Sequence, residues 1–325
     1  MKILCYSAQK YDREYFAKTE MINIHMDYVD CLLSTQTVKL AISYDAICIF
    51  VNDQCNQHVL KELHRLGIKC ILLRCAGYNN VDIQAAKELG IFVARVPKYS
   101  PNAVAEHAVG LLLCLNRKIH KAYNRVKENN FSLNGLVGFD LCGKTVGIIG
   151  YGEIGKVFAN IMSGFSCNVI VYDPYVLSVN DGHKKVDLSY LLSHSDIISL
   201  HCPLSSNNNH LIDEDALSKV KSNAIIINTS RGALVDTKAV VRALKNKLIS
   251  GLAIDVYEEE STIFFEDHSN EIIVDEVFER LLTLPNVLIT GHQAFLTNEA
   301  LTSIAKVTLD NALRILSNKE CENII

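Results

Sequence analysis

A glycine-rich turn in the middle of the chain constrains the fold more than any other feature. Gly150, Gly152 and Gly155 form a G-x-G-x-x-G pattern. The apolar run Lys144–Ile149 before it is a predicted strand, and Lys156–Ser163 after it is a predicted helix. Alone, such a pattern is weak, because glycine turns often serve packing only. Between a strand and a helix, it predicts a βαβ unit that binds a dinucleotide.

Each residue of this turn has a physical role. Gly150 permits the tight turn, Gly152 lets a pyrophosphate approach the backbone, and Gly155 allows close packing of helix on strand. Glu153 and Ile154 open the helix, where free N–H groups and the helix dipole favour an anion.

An acidic residue after the next predicted strand indicates which dinucleotide binds. Asp173 can accept hydrogen bonds from the adenosine ribose hydroxyls and would repel a 2′-phosphate. Pro174 and Tyr175 follow it, so no positive charge is present there to neutralise that phosphate. We therefore predict NAD rather than NADP as the cofactor.

Short apolar runs alternate with helical patterns along the chain, which predicts an α/β fold with parallel sheets. We expect two Rossmann-like or flavodoxin-like α/β domains with a cleft between them. The predicted strands are Lys2–Tyr6, Ala46–Val51, Cys70–Arg74, Ile91–Val93, Lys144–Ile149, Asn168–Tyr172, Asp196–His201, Ala224–Asn228, Gly251–Val256 and Val287–Thr290. The predicted helices include Gln57–Leu66, Ile83–Leu89, Pro101–His120 and Asn298–Leu316.

Composition excludes several classes of protein. The 325 residues are 49% hydrophobic and 21% charged with a net charge of −4, which is typical of a globular chain without affinity for nucleic acid. No apolar run approaches membrane-spanning length, so we expect no membrane partner and a cytoplasmic protein. The eleven cysteines lie singly, and we interpret them as reduced, buried side chains. A disulfide set or a metal site is the alternative, although we predict no metal.

Three residues at predicted strand ends suit the chemistry of a 2-keto acid. Arg231 follows one strand, and its guanidinium can bind a carboxylate through two hydrogen bonds. His292 follows another and can transfer a proton near neutral pH, and Glu260 can stabilise its imidazolium. Each alone is often a surface or structural residue. Since ligands bind beyond the carboxyl ends of parallel strands, their shared position favours a catalytic role.

Longer motifs carry a resemblance to a known family. They are NTSRGALVD at Asn228–Asp236, GLAIDVYEEE at Gly251–Glu260, RCAGYNNVD at Arg74–Asp82, VPKYSPNAVAEHAVGLLL at Val96–Leu113, TGHQAFLT at Thr290–Thr297 and the insertion Phe264–Val287. With these motifs nearly the whole chain resembles the D-isomer-specific 2-hydroxyacid dehydrogenases, and within them the fermentative D-lactate dehydrogenases.

The resemblance implies a role for each matching residue. Arg231 would clamp the substrate carboxylate, His292 would be the general acid and base, and Glu260 would be its partner rather than Glu258 or Glu259. Further cofactor contacts would come from Cys202, Pro203, Asn208, Thr229, Ser230, Arg231 and Asp255, with Asp255 on the nicotinamide ribose or carboxamide. Further substrate contacts would come from Ala76, Gly77, Tyr99 and Phe295, although Tyr99 could serve packing alone.

The implied activity is NAD-dependent reduction of pyruvate to D-lactate. Another 2-hydroxy acid, such as 2-hydroxyisocaproate or phenyllactate, remains an alternative, as does a non-catalytic NAD-sensing protein. The resemblance also implies a discontinuous substrate domain, residues 1–99 plus 297–325, around an NAD-binding domain of residues 100–296. A homo-oligomer, either dimer or tetramer, is expected. The helix Pro101–His120 would be its dimerisation element or, alternatively, an internal core helix.

Overall fold

The computed structural model describes residues 1–19, 21, 23–179 and 181–325. They form two compact units, one made of Met1–Ser100 with Leu296–Ile325 and the other of Pro101–Phe295. Each unit has its own sheet, and the neighbouring strands named below are parallel. The prediction of two parallel-sheet α/β domains is therefore confirmed.

The elements are numbered in chain order. The strands are β1 (Lys2–Cys5), β2 (His25–Tyr28), β3 (Ala46–Ile49), β4 (Cys70–Leu73), β5 (Phe92–Arg95), β6 (Thr145–Ile149), β7 (Asn168–Tyr172), β8 (Lys184–Lys185), β9 (Ile197–Leu200), β10 (Ile225–Asn228), β11 (Gly251–Ile254) and β12 (Val287–Ile289). The helices are α1 (Lys10–Lys18), α2 (Gln57–Arg65), α3 (Ile83–Glu88), α4 (Pro101–Asn116), α5 (Ile119–Lys127), α6 (Glu153–Gly164), α7 (Leu188–His194), α8 (Glu214–Lys219), α9 (Thr237–Lys245), α10 (Glu276–Thr283) and α11 (Asn298–Leu316).

The first unit is built on a sheet with the strand order β2-β1-β3-β4-β5. Its central strands β3 and β4 are buried at every position, as expected for strands covered on both faces. The C-terminal helix α11 contributes Leu309 and Ala312 to the core that contains Ile3 and Leu72. The last helix therefore folds back onto the sheet formed by the first hundred residues.

The second unit has the strand order β12-β11-β10-β9-β6-β7-β8. From β6 the chain adds β7 and β8 on one side, and then crosses over to add β9 to β12 on the other side. The order therefore reverses between β6 and β9. In open parallel sheets a ligand binds outside the carboxyl ends of the strands at such a reversal.

The prediction of a single helix over Pro101–His120 is wrong at the C-terminal end. α4 ends at Asn116, Lys118 adopts the left-handed conformation with φ +51°, and α5 begins at Ile119. The Asn116 side chain donates to the Phe139 carbonyl oxygen at 2.8 Å and accepts from the Phe139 nitrogen at 2.9 Å. A tertiary contact with a distant loop therefore stabilises the helix end, and local periodicity cannot reveal it.

One face of this helix packs inside the second unit. The apolar residues Ala105, Ala108 and Leu112 of α4 are fully buried in the core of the second unit, together with Val146 and Ile148 of β6. α4 therefore contributes to the core of its own unit, and its role as a dimerisation element stays a prediction.

The cysteines are all free. Six are buried as predicted, but Cys31 and Cys142 are exposed and are wrongly predicted. Among the residues that the structure describes, no group of three or more His, Cys, Asp and Glu side chains could hold a metal ion. Within the same residues, no helix combines the length and apolar character needed to cross a membrane.

Candidate active site

The turn after β6 has a shape that requires glycine at two positions. Gly150 adopts φ +95°, and a Cβ atom there would lie 2.6 Å from the Cys202 nitrogen. A Cβ atom on Gly155 would lie 2.1 Å from the Gly150 carbonyl oxygen, so α6 packs directly on the turn. At Gly152 a Cβ atom would meet no described atom within 4 Å, so the backbone is open at the start of α6. A pyrophosphate fits this arrangement of open backbone and helix N-terminus.

Asp173, directly after β7, holds the glycine turn in place. Its Oδ2 atom accepts a hydrogen bond from the Tyr151 nitrogen at 2.7 Å, and its Oδ1 atom accepts one from the Tyr175 nitrogen at 2.8 Å. The lysines of β8 have other contacts: Lys184 lies 5.0 Å from an aromatic ring centroid, and Lys185 donates to a backbone carbonyl. The negative charge of Asp173 beside the turn disfavours a 2′-phosphate.

A buried polar atom at the same edge of the sheet also fits a polar ligand. Thr229 directly follows β10, and its Oγ1 atom is buried without a hydrogen-bond partner among the described residues. Leaving a buried hydroxyl unpaired costs about 1–3 kcal/mol, which a hydrogen bond to a bound dinucleotide would offset. Next to it, the Ser230 nitrogen donates to Asn228 Oδ1 at 3.0 Å, which fixes the start of the loop.

The loop after β9 carries the other predicted cofactor residues. The Asn208 amide donates to the Pro203 carbonyl at 2.8 Å and accepts from the Ser205 nitrogen at 2.7 Å. Cys202 lies against Gly150, and burial raises the pKa of its thiol to about 11. The Asn208 side chain therefore closes this loop beside the glycine turn.

His292 and Glu260 form a hydrogen-bonded pair beyond β12 and β11. His292 Nδ1 lies 2.9 Å from Glu260 Oε1, and the other carboxylate oxygen accepts from the Tyr257 nitrogen at 3.0 Å. Because Nδ1 is bound to the carboxylate, Nε2 is the ring atom that can exchange a proton with a ligand. Glu258 is engaged elsewhere, where it accepts a hydrogen bond from the Thr237 hydroxyl at 3.0 Å.

Arg231 lies beyond the neighbouring strand β10. Its Nη1 atom donates to the Ser230 carbonyl at 2.6 Å, and its own carbonyl accepts from the Asn228 amide at 2.8 Å. A Cβ atom on Gly232 would lie 2.1 Å from the Tyr257 carbonyl, so the two loops after β10 and β11 are in backbone contact. The sheet order β12-β11-β10 thus brings the loops of the three predicted catalytic residues to one edge.

Comparisons with known proteins agree with this arrangement. Residues 109–294 match the model of the D-isomer specific 2-hydroxyacid dehydrogenase NAD-binding domain. The chain is 51% identical to a 2-hydroxyacid dehydrogenase homolog of Haemophilus influenzae, over 100% of this chain and 99% of the relative. It is 50% identical to the D-lactate dehydrogenase of Escherichia coli, over 99% of both chains. The chain belongs to the D-isomer-specific 2-hydroxyacid dehydrogenases.

Solved structures agree with the family assignment. The apo structure of Escherichia coli D-lactate dehydrogenase has a TM-score of 0.91 and 48% identity, and the alignment covers 100% of each chain. A structure of the pyruvate reductase of Chlamydomonas reinhardtii has a TM-score of 0.93 and 40% identity, and the alignment covers 99% of this chain and 98% of that one. The present chain is an NAD-dependent oxidoreductase of this family.

In this dehydrogenase, Asp255 holds the segment that carries His292. It is fully buried, and its carboxylate accepts hydrogen bonds from the Gln293 nitrogen at 2.9 Å and the Ala294 nitrogen at 2.8 Å. Burial alone would raise the pKa of Asp255, but hydrogen bonds from His107, Thr290 and these two nitrogens lower it below its usual value. Protein donors thus occupy a carboxylate for which the family resemblance implies a cofactor contact.

Two phenylalanines border the His292 ring. Phe295, a predicted substrate residue, is buried with its ring centroid 6.5 Å from that of His292. Phe265, which sequence reasoning did not select, is closer at 5.6 Å and adopts φ +72°, which is unusual for a bulky side chain. The only sequence signal for Phe265 was its position in the insertion Phe264–Val287.

The remaining predicted substrate residues lie in the first unit. Ala76 and Gly77 follow β4, where the Ala76 carbonyl accepts a hydrogen bond from Arg95 at 2.9 Å and the Gly77 carbonyl accepts one from Cys75 at 3.2 Å. Tyr99 is half-buried just before the end of the first segment of this unit. The Ala76–Gly77 loop is therefore fixed through its carbonyl groups.

Proposed function

We propose that this dehydrogenase reduces pyruvate to D-lactate. The observation that carries the proposal is the pair of His292 and Glu260, 2.9 Å apart, at the sheet edge that also holds Arg231 and the glycine turn. The names of the Escherichia coli and Chlamydomonas reinhardtii relatives support lactate and pyruvate as the reacting acids.

The protein's contribution is to bind the acid and supply a proton. NADH, held by the glycine turn, Thr229 and Asp173, supplies the hydride when bound. In our proposal Arg231 binds the carboxylate and polarises the keto oxygen, which a guanidinium can do with parallel hydrogen bonds. We assign Ala76, Gly77, Tyr99 and Phe295 to further substrate contacts, as the family resemblance implies.

Proton transfer is assigned to His292. Its Nε2 atom would donate a proton to the keto oxygen as negative charge develops there, and solvent would return the proton afterwards. Glu260 would stabilise the imidazolium through Nδ1 and keep the ring in one orientation. The contact between Phe265 and the imidazole would limit access of water to this pair.

A substrate survey tests the proposal. The loss of NADH absorbance should be fastest with pyruvate, and slower with 2-ketoisocaproate, phenylpyruvate and hydroxypyruvate. An enantiomer-specific assay should find D-lactate only. Faster turnover of a larger keto acid would reassign the substrate, and no turnover with any keto acid would favour an NAD-sensing protein.

His292→Ala tests the assignment of the proton donor. We expect turnover to fall by about 100-fold or more, since general acid catalysis typically contributes that much, while NADH affinity measured by fluorescence changes little. Near-normal turnover in this variant would remove His292 from the mechanism.

We also propose a homo-oligomer and a cytoplasmic, fermentative role. The α5 residues Ile119, Tyr123 and Val126 are more than half exposed, and so are Phe131 and Leu133 in the segment that follows. An apolar surface of this kind is typical of a protein interface. A second copy of the chain is the partner that we expect for it, and the free cysteines fit a reducing compartment.

A further inference from the structure

His107, in the middle of α4, contacts the buried carboxylate of Asp255, which binds the backbone next to His292. Its Nε2 atom lies 3.1 Å from Thr290 Oγ1 and 3.3 Å from Asp255 Oδ1. The His107 side chain is about one-fifth exposed, whereas Asp255 is fully buried. None of the roles assigned above to the sequence-predicted site residues involves His107 or Thr290.

The direction of the hydrogen bonds in this group follows from the donors available. Thr290 Oγ1 lies 2.5 Å from Asp255 Oδ1, and an ionised carboxylate can only accept, so the hydroxyl hydrogen points to Asp255. The Thr290 oxygen can then only accept from His107. His107 Nε2 therefore carries a hydrogen, and the chain of donation runs from His107 through Thr290 to Asp255.

Asp255 in turn holds the backbone around His292. Besides accepting from the Gln293 and Ala294 nitrogens, Asp255 accepts a hydrogen bond from the His292 nitrogen at its main-chain carbonyl, at 2.7 Å. His292 itself adopts a left-handed conformation with φ +52°. Such a backbone persists only where surrounding contacts hold it.

We propose that His107 is a positioning residue for the reaction: by fixing Thr290 and Asp255, it holds the left-handed turn that presents His292 to Glu260. Since His107 lies on α4, this long core helix of the second unit helps to support the active site. The inference rests on the proposed function only for the role of His292, since the hydrogen-bonded chain stands on its own distances.

The test compares His107→Leu with His107→Gln. Leucine removes the donor, whereas the glutamine amide can restore an N–H near the position of Nε2. Hydrogen exchange of the protein without added cofactor should become about tenfold or more faster at the amides of residues 290–294 in the leucine variant, with little change in β6 and α6. The glutamine variant should stay close to the unmodified protein.

Activity provides a second readout. In His107→Leu we expect kcat to fall about tenfold or more, because a small misplacement of a catalytic group is costly, while NADH affinity changes less than about twofold. His107→Gln should recover most of kcat. His58→Leu, the same substitution at an exposed position of α2, serves as the matched control and should change neither readout.

Thr290→Val keeps the side-chain volume but breaks the same chain, and should reproduce the exchange pattern of His107→Leu. The inference is overturned if exchange at residues 290–294 is unchanged in both variants, or if glutamine and leucine at position 107 behave alike. If the unmodified protein reduces no 2-keto acid, the proposed function fails, while the exchange measurement still decides the role of His107.

Discussion

At some positions of the second unit, the space around the Cα atom decides whether a side chain can fit. A methyl group on Gly155 would collide with the Gly150 carbonyl oxygen at 2.1 Å, and that oxygen belongs to backbone that has little freedom to move. A methyl group on Gly164, at the end of the same helix, would meet no described atom within 4 Å. The two glycines therefore differ in function although both belong to α6.

This difference gives a prediction. Gly155→Ala should lower the free energy of unfolding by about 1–3 kcal/mol, as overpacking does, and weaken NADH binding because the turn is displaced. Gly164→Ala should be neutral or stabilise by up to about 1 kcal/mol, because alanine favours the helix. Urea unfolding and NADH fluorescence measure both effects, and equal behaviour of the two variants would contradict the role of Gly155.

Because His201 is buried, we predict that the free energy of unfolding depends on pH. His201 is buried after β9, and burial lowers its pKa from 6.5 to about 3. The folded protein therefore keeps His201 neutral, while the unfolded chain binds a proton below about pH 6.5. The contribution of neutral His201 to the free energy of unfolding is complete above about pH 6.5, and it is lost as the pH falls towards 3.

From about pH 7 to about pH 5, this linkage should lower the free energy of unfolding by about 2 kcal/mol. His201→Gln does not titrate in this range and can still hydrogen-bond Ser199, which lies 2.9 Å from His201 Nε2. Urea unfolding at the two pH values should therefore show a smaller loss in this variant. An identical loss in both proteins would mean that other groups cause the pH dependence.

At the scale of elements, the break between α4 and α5 separates two kinds of helix. α4 packs one face into the core of its own unit, whereas α5 has no buried residue among those described. α5 is polar on one face and leaves Tyr123 and Val126 exposed on the other, which fits the interface with a second copy that we propose.

Tyr123→Glu should therefore weaken self-association. A charge placed in an apolar interface costs several kcal/mol of desolvation, so we expect sedimentation to show a smaller species at micromolar concentration. Tyr175→Glu, at an exposed position beyond β7, is the control and should leave the assembly unchanged. If Tyr123→Glu keeps the mass of the unmodified protein, the interface lies on another surface.

At the scale of the whole molecule, each unit has its own core. The cores of Pro101–Phe295 contain residues of that segment alone, and the core of the other unit combines the first hundred residues with α11. The second unit is also continuous in sequence. These two properties are what independent folding requires.

A fragment of residues 101–295 should therefore fold and bind NADH within about tenfold of the affinity of the full chain, a difference of about 1.4 kcal/mol. It should not reduce pyruvate, because it lacks Ala76, Gly77 and Tyr99. Circular dichroism, fluorescence titration and the NADH assay test these three expectations. A fragment that is unfolded, or that reduces pyruvate, would contradict them.

Much of the fold was predictable because its signals are local. The buried strands are short apolar runs, and α11 was predicted with the bounds that the structure has, since its apolar residues recur at helical spacing. β2 and β8 were missed: β2 is a partly exposed edge strand without an apolar run, and β8 has only two residues. α1 was missed because only Asp12 and Phe16 of its residues are buried.

The sequence by itself determined the α/β class, the glycine turn with Asp173, and the residue types that the chemistry needs, because these depend on neighbours along the chain. Only the tertiary structure decided that Glu258 binds Thr237, that Phe265 lies beside His292, and that His107 supports Asp255. These contacts join residues far apart in the chain, and strand order and packing, rather than local pattern, bring them together.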